Sequence, residues 1–138
     1  MLTSDWLFRM PSLHLADAVY AGGGRAWVYE LAWSFNSRQG ASHCLDFLLV
    51  FGTLSPTEAA AHPYAHPCAA DELTRVGDQM RTDWTTFAAD GDPGWAPYNP
   101  RTRITRVYDT TTTERPYPHQ PSRRIWAMHR FDTLDLLP

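Results

Sequence analysis

The sequence predicts an α/β chain, and three observations carry that expectation. Residues 26–33 (Ala-Trp-Val-Tyr-Glu-Leu-Ala-Trp) show the aromatic, β-branched alternation of a strand. Residues 70–89 repeat apolar side chains at helical steps, and a second strand-like run follows over 103–108. Strands alternating with helices are the pattern of layered α/β architectures.

Taken in order, 11–21 reads as a helix: Pro11 starts it, Leu13, Ala16 and Tyr20 share a stripe, and Gly22 to Gly24 end it. In the 26–33 strand, Trp27, Tyr29, Leu31 and Trp33 form one face, while Ala26, Val28 and Ala32 keep the other apolar, so burial on both sides is expected. Glu30 interrupts the second face. A carboxylate there requires an arginine partner or a place at the wet end of the strand. Residues 53–67 contain Pro56, Pro63 and Pro67 and read as a loop. Over 70–89, Leu73, Val76, Met80, Trp84 and Phe87 form one stripe, with Gly91 as the stop. Turn-rich residues 92–100 lead to the 103–108 strand. The threonines 110–113 with Pro116, Pro118 and Pro121 read as another loop, after which Ser122 is placed to cap a helix running through Arg130.

Length and composition describe one segment, 1–138, with 43% apolar residues and a near-balanced net charge of −3, as in an ordinary globular segment. The twelve Lys and Arg are scattered, and the Arg123-Arg124 pair reads as a solvated helix face, so no nucleic-acid partner is expected. No apolar run approaches the roughly 20 residues of a membrane span, and no membrane partner is expected. The first residues lack a charged region followed by a hydrophobic core, which makes the chain as written cytoplasmic, although an intact parent could be secreted. Cys44 and Cys68 could meet in a disulfide but read more simply as free thiols. His62, His66 and Cys68, with His43, offer zinc-type donors, yet Pro63 and Pro67 break the helical geometry that a His-x-x-x-His pair needs, so no metal and no cofactor is expected. His14, His119 and His129 read as surface or helix residues, and the tryptophans, among them Trp27, Trp33 and Trp84, as core.

One histidine stands apart. Gly40-Ala41-Ser42 leads tightly into His43, and an apolar run ending at Phe51-Gly52 follows, so a short turn presents the imidazole while the run behind it anchors in the core. By itself such a residue is more often structural than catalytic. Further motifs surround it in fixed order: Asp5 to Pro11, Trp27 to Trp33, then Trp84-Thr85-Thr86-Phe87-Ala88-Ala89-Asp90-Gly91-Asp92-Pro93 with Trp95-Ala96-Pro97-Tyr98 close behind. This series, from about Thr3 to Trp126, resembles the C-terminal portion of the type-B carboxylesterases. These α/β-hydrolases include cholinesterases and bacterial para-nitrobenzyl esterases.

The resemblance implies a fold and a chemistry. The chain would be the C-terminal part of an α/β-hydrolase fold, a few strands with packing helices, incomplete as a stand-alone sheet. His43 would be the general base of ester hydrolysis through an acyl-serine, and Asp46, three residues on, would fix the loop around it rather than serve as the triad acid. No serine has glycine two residues before and two after it, so the Gly-x-Ser-x-Gly elbow is not in this sequence, and Gly22 to Gly24, with no histidine ahead of them, are not the oxyanion loop. The expected function is therefore a carboxylesterase C-terminal fragment, inactive alone, that acts on a carboxylic ester only when completed by an N-terminal part. A complementing chain or a homo-oligomer is the expected partner. Half of a split esterase and a non-catalytic, neuroligin-like binding protein are the alternatives.

Overall fold

The structure is a computed structural model that describes residues 2–129. Its first helix begins earlier than Pro11. Short α1 (Leu2–Ser4) runs through a π-helical turn (Asp5–Arg9) into α2 (Met10–Ala21). Pro11 has no N–H and its ring would crowd the carbonyl one α-turn back, and the wider π turn just ahead of it makes room. Met10, Leu13 and Ala16 of α2 are buried, but Tyr20 faces out, which narrows the expected stripe. Gly22 and Gly24 donate to Ala18 and Val19 carbonyls, and Gly23 takes the left-handed φ of +80° that closes the helix.

Three strands form one sheet in the order β1 (Tyr29–Leu31), β2 (Ile104–Tyr108), β3 (Thr113–Pro116). β1 lies parallel to β2, with Tyr29 opposite Arg106 and Leu31 opposite Tyr108, and β3 lies antiparallel on the other side of β2. β1 is shorter than the 26–33 expected, although hydrogen bonds from Val28 O to Trp33 N extend its contact with β2. Burial on both sides is also corrected: Tyr29, Glu30 and Leu31 are each half-buried, because among the described residues no strand covers the far edge. β3 was expected as loop. Its Thr-Glu-Arg-Pro sequence has no apolar face, and an exposed edge strand needs none; Pro116 pairs with Ile104 at its end, where a missing N–H is tolerated.

The apolar run after His43 is α3 (Leu45–Phe51), which buries Leu45 and Leu49 while Phe47 and Phe51 stay 57% and 65% exposed. Residues 53–67 are not all loop either. Ser55 and Glu58 form a capping box, with Glu58 N–H donating to Ser55 Oγ (3.2 Å) and Ser55 N–H to Glu58 Oε2 (2.9 Å), and Pro56 starts α4 (Pro56–Ala61) where its missing N–H costs nothing. The long helix α5 (Ala69–Asp90) extends the expected 70–89 by one residue at each end and closes on left-handed Gly91, whose N–H donates to Phe87 O. Leu73, Val76 and Met80 are buried, but Trp84 and Phe87 are 43% and 47% exposed, so the stripe leaves the core in its last turns. Finally, α6 (Gln120–Trp126) starts after His119, which stands at the N-cap position without a side-chain cap, and not at Ser122. Ser122 lies inside it, with its hydroxyl donating to buried Asp5, and Arg130 lies outside the described residues.

Two apolar clusters result. Trp33, Leu45, Leu49, Ala59, Leu73, Val76, Met80 and Tyr108 pack α3, α4 and α5 on the sheet, while Met10, Leu13, Ala16, Tyr98 and Tyr117 hold α2. Among the described residues no helix is long and apolar enough to cross a membrane. A polar lock joins α5 to β2: buried Asp83 accepts from Tyr108 Oη (2.7 Å), Arg106 Nε (3.2 Å) and Gln79 Nε2 (2.8 Å). Glu30 finds the arginine partner its position demands, since Arg9 Nη2 lies 3.3 Å from its carboxylate, and His119 Nε2 lies 2.8 Å from the same oxygen.

Replacing Asp83 by Leu leaves a buried phenol without its acceptor and Arg106 with Glu114 alone, and we expect a loss of about 3 kcal/mol in urea unfolding, against about 1 kcal/mol for Tyr108→Phe. Equal midpoints for the two variants would remove Asp83 from this role. Alkaline pH probes the other cluster. Burial, and then the Asp17 carboxylate that accepts its hydroxyl at 2.7 Å, push the Tyr98 phenol up to about 12. The unfolded phenol titrates near about 10, so the stabilisation is complete below that pH and is lost as pH rises from about 10 to about 12. Tyr98→Phe should flatten the decline of stability across that window, and an unchanged slope would contradict the assignment.

Candidate active site

His43 belongs to a turn built from two left-handed residues, Gly40 (φ +65°) and Cys44 (φ +67°), that ends at the start of α3. Cys44 adopts this conformation without glycine's freedom, a local cost of about 1 kcal/mol that the packing of Leu45 behind it offsets. The imidazole is exposed and stacks on Phe8 of the π-helical turn, ring centres 4.6 Å apart and planes 22° from parallel. It stands at the rim of a groove of about 770 Å³ that runs between α2 and the open side of β1. Phe8, Val19, Leu31 and Phe47 make much of the lining apolar, and Arg9, Glu30 and Asp46 add charge.

Asp46 stands in the first turn of α3, where a carboxylate meets the positive end of the helix. Its Oδ2 accepts from Tyr29 Oη at 2.8 Å and its Oδ1 from the N–H of Phe47 at 2.9 Å, so both oxygens are engaged in holding the turn. Burial, with the Asp46 carboxylate beside it, pushes the Tyr29 phenol far above its ordinary range, and it stays a proton donor. The arrangement brings together along one groove an accessible nitrogen base, an apolar surface and the Asp46 carboxylate. These can move a proton beside a bound ester; the carbon-attacking nucleophile is not among them.

The other candidates are dispersed. His66 Nε2 lies 3.1 Å from Ser34 O and 3.4 Å from Glu72 Oε2, while Glu72 accepts from buried Trp33 Nε1 at 2.9 Å, so this histidine helps to seat the start of α5. His62 stands edge-on to Phe35, and Cys44 and Cys68 are exposed free thiols. Among the described residues no group of three or more His, Cys, Asp or Glu could hold a metal ion. Two residues around the groove escaped the sequence reading. Phe8 and Tyr29 contact the His43 turn across 35 and 17 residues of chain. Only the alternation of the strand pointed to Tyr29, and it gave a face rather than a partner. His119, expected as a surface or helix residue, stands at the start of α6 and its ring pairs with Glu30.

Comparison with known proteins gives a consistent picture. No protein-family model matches the chain. The para-nitrobenzyl esterase of Bacillus subtilis is 27% identical over 133 residues, which cover 89% of this chain and 26% of that enzyme. A probable N-octanoylanthranilate hydrolase of Rhodococcus erythropolis is 27% identical over 77% of this chain and 24% of its own length. Among solved structures, a para-nitrobenzyl esterase superposes with a TM-score of 0.71 at 25% identity, covering 88% of this chain and 25% of that one. A Geobacillus stearothermophilus carboxylesterase gives 0.69 at 21% identity over 91% of this chain and 26% of its own. The chain thus spans about a quarter of the length of the proteins it matches. In sequence and in fold it is similar to about a quarter of these para-nitrobenzyl esterases and carboxylesterases, and its architecture is that of a segment of the α/β-hydrolase fold.

Proposed function

We propose that this chain is a C-terminal carboxylesterase segment that contributes His43 as the general base of ester hydrolysis and works with serine, acid and oxyanion donors from other sequence. The observation that carries the reading is an exposed imidazole on a built turn at the mouth of a largely apolar groove. In such a centre the imidazole takes the proton from a serine hydroxyl as the serine oxygen attacks the ester carbonyl. The imidazolium then gives that proton to the alkoxide as the carbon–oxygen bond to the alcohol breaks, and water repeats the sequence on the acyl-serine. Asp46 holds the turn, since its oxygens already serve Tyr29 and Phe47.

The sheet supports the need for a partner. Val28 O and Ala32 N–H face β2, so strand alternation turns the N–H and C=O of Tyr29 and Leu31 to the open edge, beside the groove. A complementing polypeptide that pairs there would bring the nucleophile into the same groove. Without one, this edge makes self-association the expected default.

The chain alone should hydrolyse short para-nitrophenyl esters no faster than free imidazole at equal concentration, because nucleophile and oxyanion donors are large terms in acyl transfer. Turnover well above that level and abolished by a serine-directed phosphonate would overturn the proposal. Joining the chain, as a fusion or a separate polypeptide, to the remaining N-terminal portion of a para-nitrobenzyl esterase should create esterase activity. His43→Ala should lower it by on the order of 10⁴-fold, whereas Asp46→Asn should cost about tenfold or less. An active His43→Ala complex would remove the histidine from its role.

A further inference from the structure

We infer that Tyr29 is a positioning residue for His43: its hydroxyl, acting through Asp46, ties the imidazole-bearing turn to the sheet. The inference rests on the reading of His43 as general base, and Tyr29 is assigned no contact with substrate.

The turn needs such a tether. Left-handed Cys44 gives α3 no side-chain cap, and α3 is seven residues long, too short to hold its own direction. Its two ends are fastened to different elements. At the C-terminal end Arg81 Nη1 of α5 donates to Leu49 O at 2.7 Å. At the N-terminal end Tyr29 Oη donates to Asp46 Oδ2 at 2.8 Å. Backbone bonds from Leu45 N–H to Ser42 O (3.2 Å) and from Leu48 N–H to Cys44 O (3.3 Å) make the His43 turn continuous with the helix, so rotating α3 moves the imidazole. Tyr29 is itself a fixed post. Its ring meets Trp84 and Tyr108 edge-on at 5.9 Å and 5.8 Å, and Tyr108 is fully buried and bonded to Asp83. Phe8 completes the seat from the other side, where its stack on His43 marks the tethered position and reports any departure from it.

That stack supplies the readout. In the full 138-residue chain the His43 ring protons should carry an upfield ring-current shift in the NMR spectrum, and Phe8→Ala, at a half-exposed site, sets the zero. Tyr29→Phe, which deletes one oxygen, should lose most of that shift. Tyr98→Phe deletes a comparable buried hydroxyl, the Asp17 donor in the other cluster, and should leave it unchanged. Asp46→Asn keeps an acceptor and should retain the shift, while Asp46→Leu should lose it. Retention of the full shift in Tyr29→Phe, or an equal loss in Tyr98→Phe, would overturn the tether. In the complemented esterase Tyr29→Phe should lower kcat by on the order of tenfold with KM unchanged. The NMR arm needs no activity, so a failed general-base reading and a failed tether give different results.

Discussion

A single buried carboxylate fixes how the long helix sits on the sheet. Asp83 is 5% exposed, and such a charge is tolerable in an apolar layer only when its lone pairs are filled and a cation lies close. Tyr108, Arg106 and Gln79 meet both conditions, and two of these donors belong to β2. The register of α5 against β2 is thereby set. From it follows the position of Arg81, which holds the end of α3, and of Trp84 and Tyr108, whose rings frame Tyr29. The turn bearing His43 is therefore placed by a chain of contacts that begins at Asp83, between α5 and β2.

The groove beside that turn is the consequence of what β1 lacks. A parallel strand ordinarily has neighbours on both edges and helices over both faces. Here Tyr29, Glu30 and Leu31 are half-buried, Trp84 and Phe87 leave the core on the neighbouring helix, and Phe8 and Phe47 of the groove stay open to solvent. Asp5 and Arg9 of the π-helical turn, Glu30 of β1 and His119 at the start of α6 form a salt-linked cluster at this side of the sheet.

What the sequence made legible follows the range of each interaction. The stripe of α5 and its Gly91 stop are local signals, and both were readable; Glu30 on an apolar strand left two outcomes, an arginine partner or a wet strand end, and Arg9 supplies the first. The helix α4 was also written locally, in Ser55-Pro56-Thr57-Glu58, but the prolines were weighed as breakers when the first of them is a starter. β3 left no apolar trace because an edge strand with both faces wet needs none. Trp84 matched the core stripe in spacing yet sits where the core has ended. At the site, the turn at His43 and the apolar run behind it were legible, whereas Tyr29 to Asp46 and His119 to Glu30 are contacts between distant segments that no periodicity encodes.

The role of His43 is tested most directly by geometry in an assembled centre. The measurement is a crystal structure of the complemented chain after reaction with a serine-directed phosphonate. The expected result places the His43 imidazole about 3 Å from the serine oxygen or the phosphonate oxygen that replaces the leaving group, with Tyr29 still bonded to Asp46. A different histidine at that distance, or His43 still stacked at the rim and out of reach of the modified serine, would contradict it.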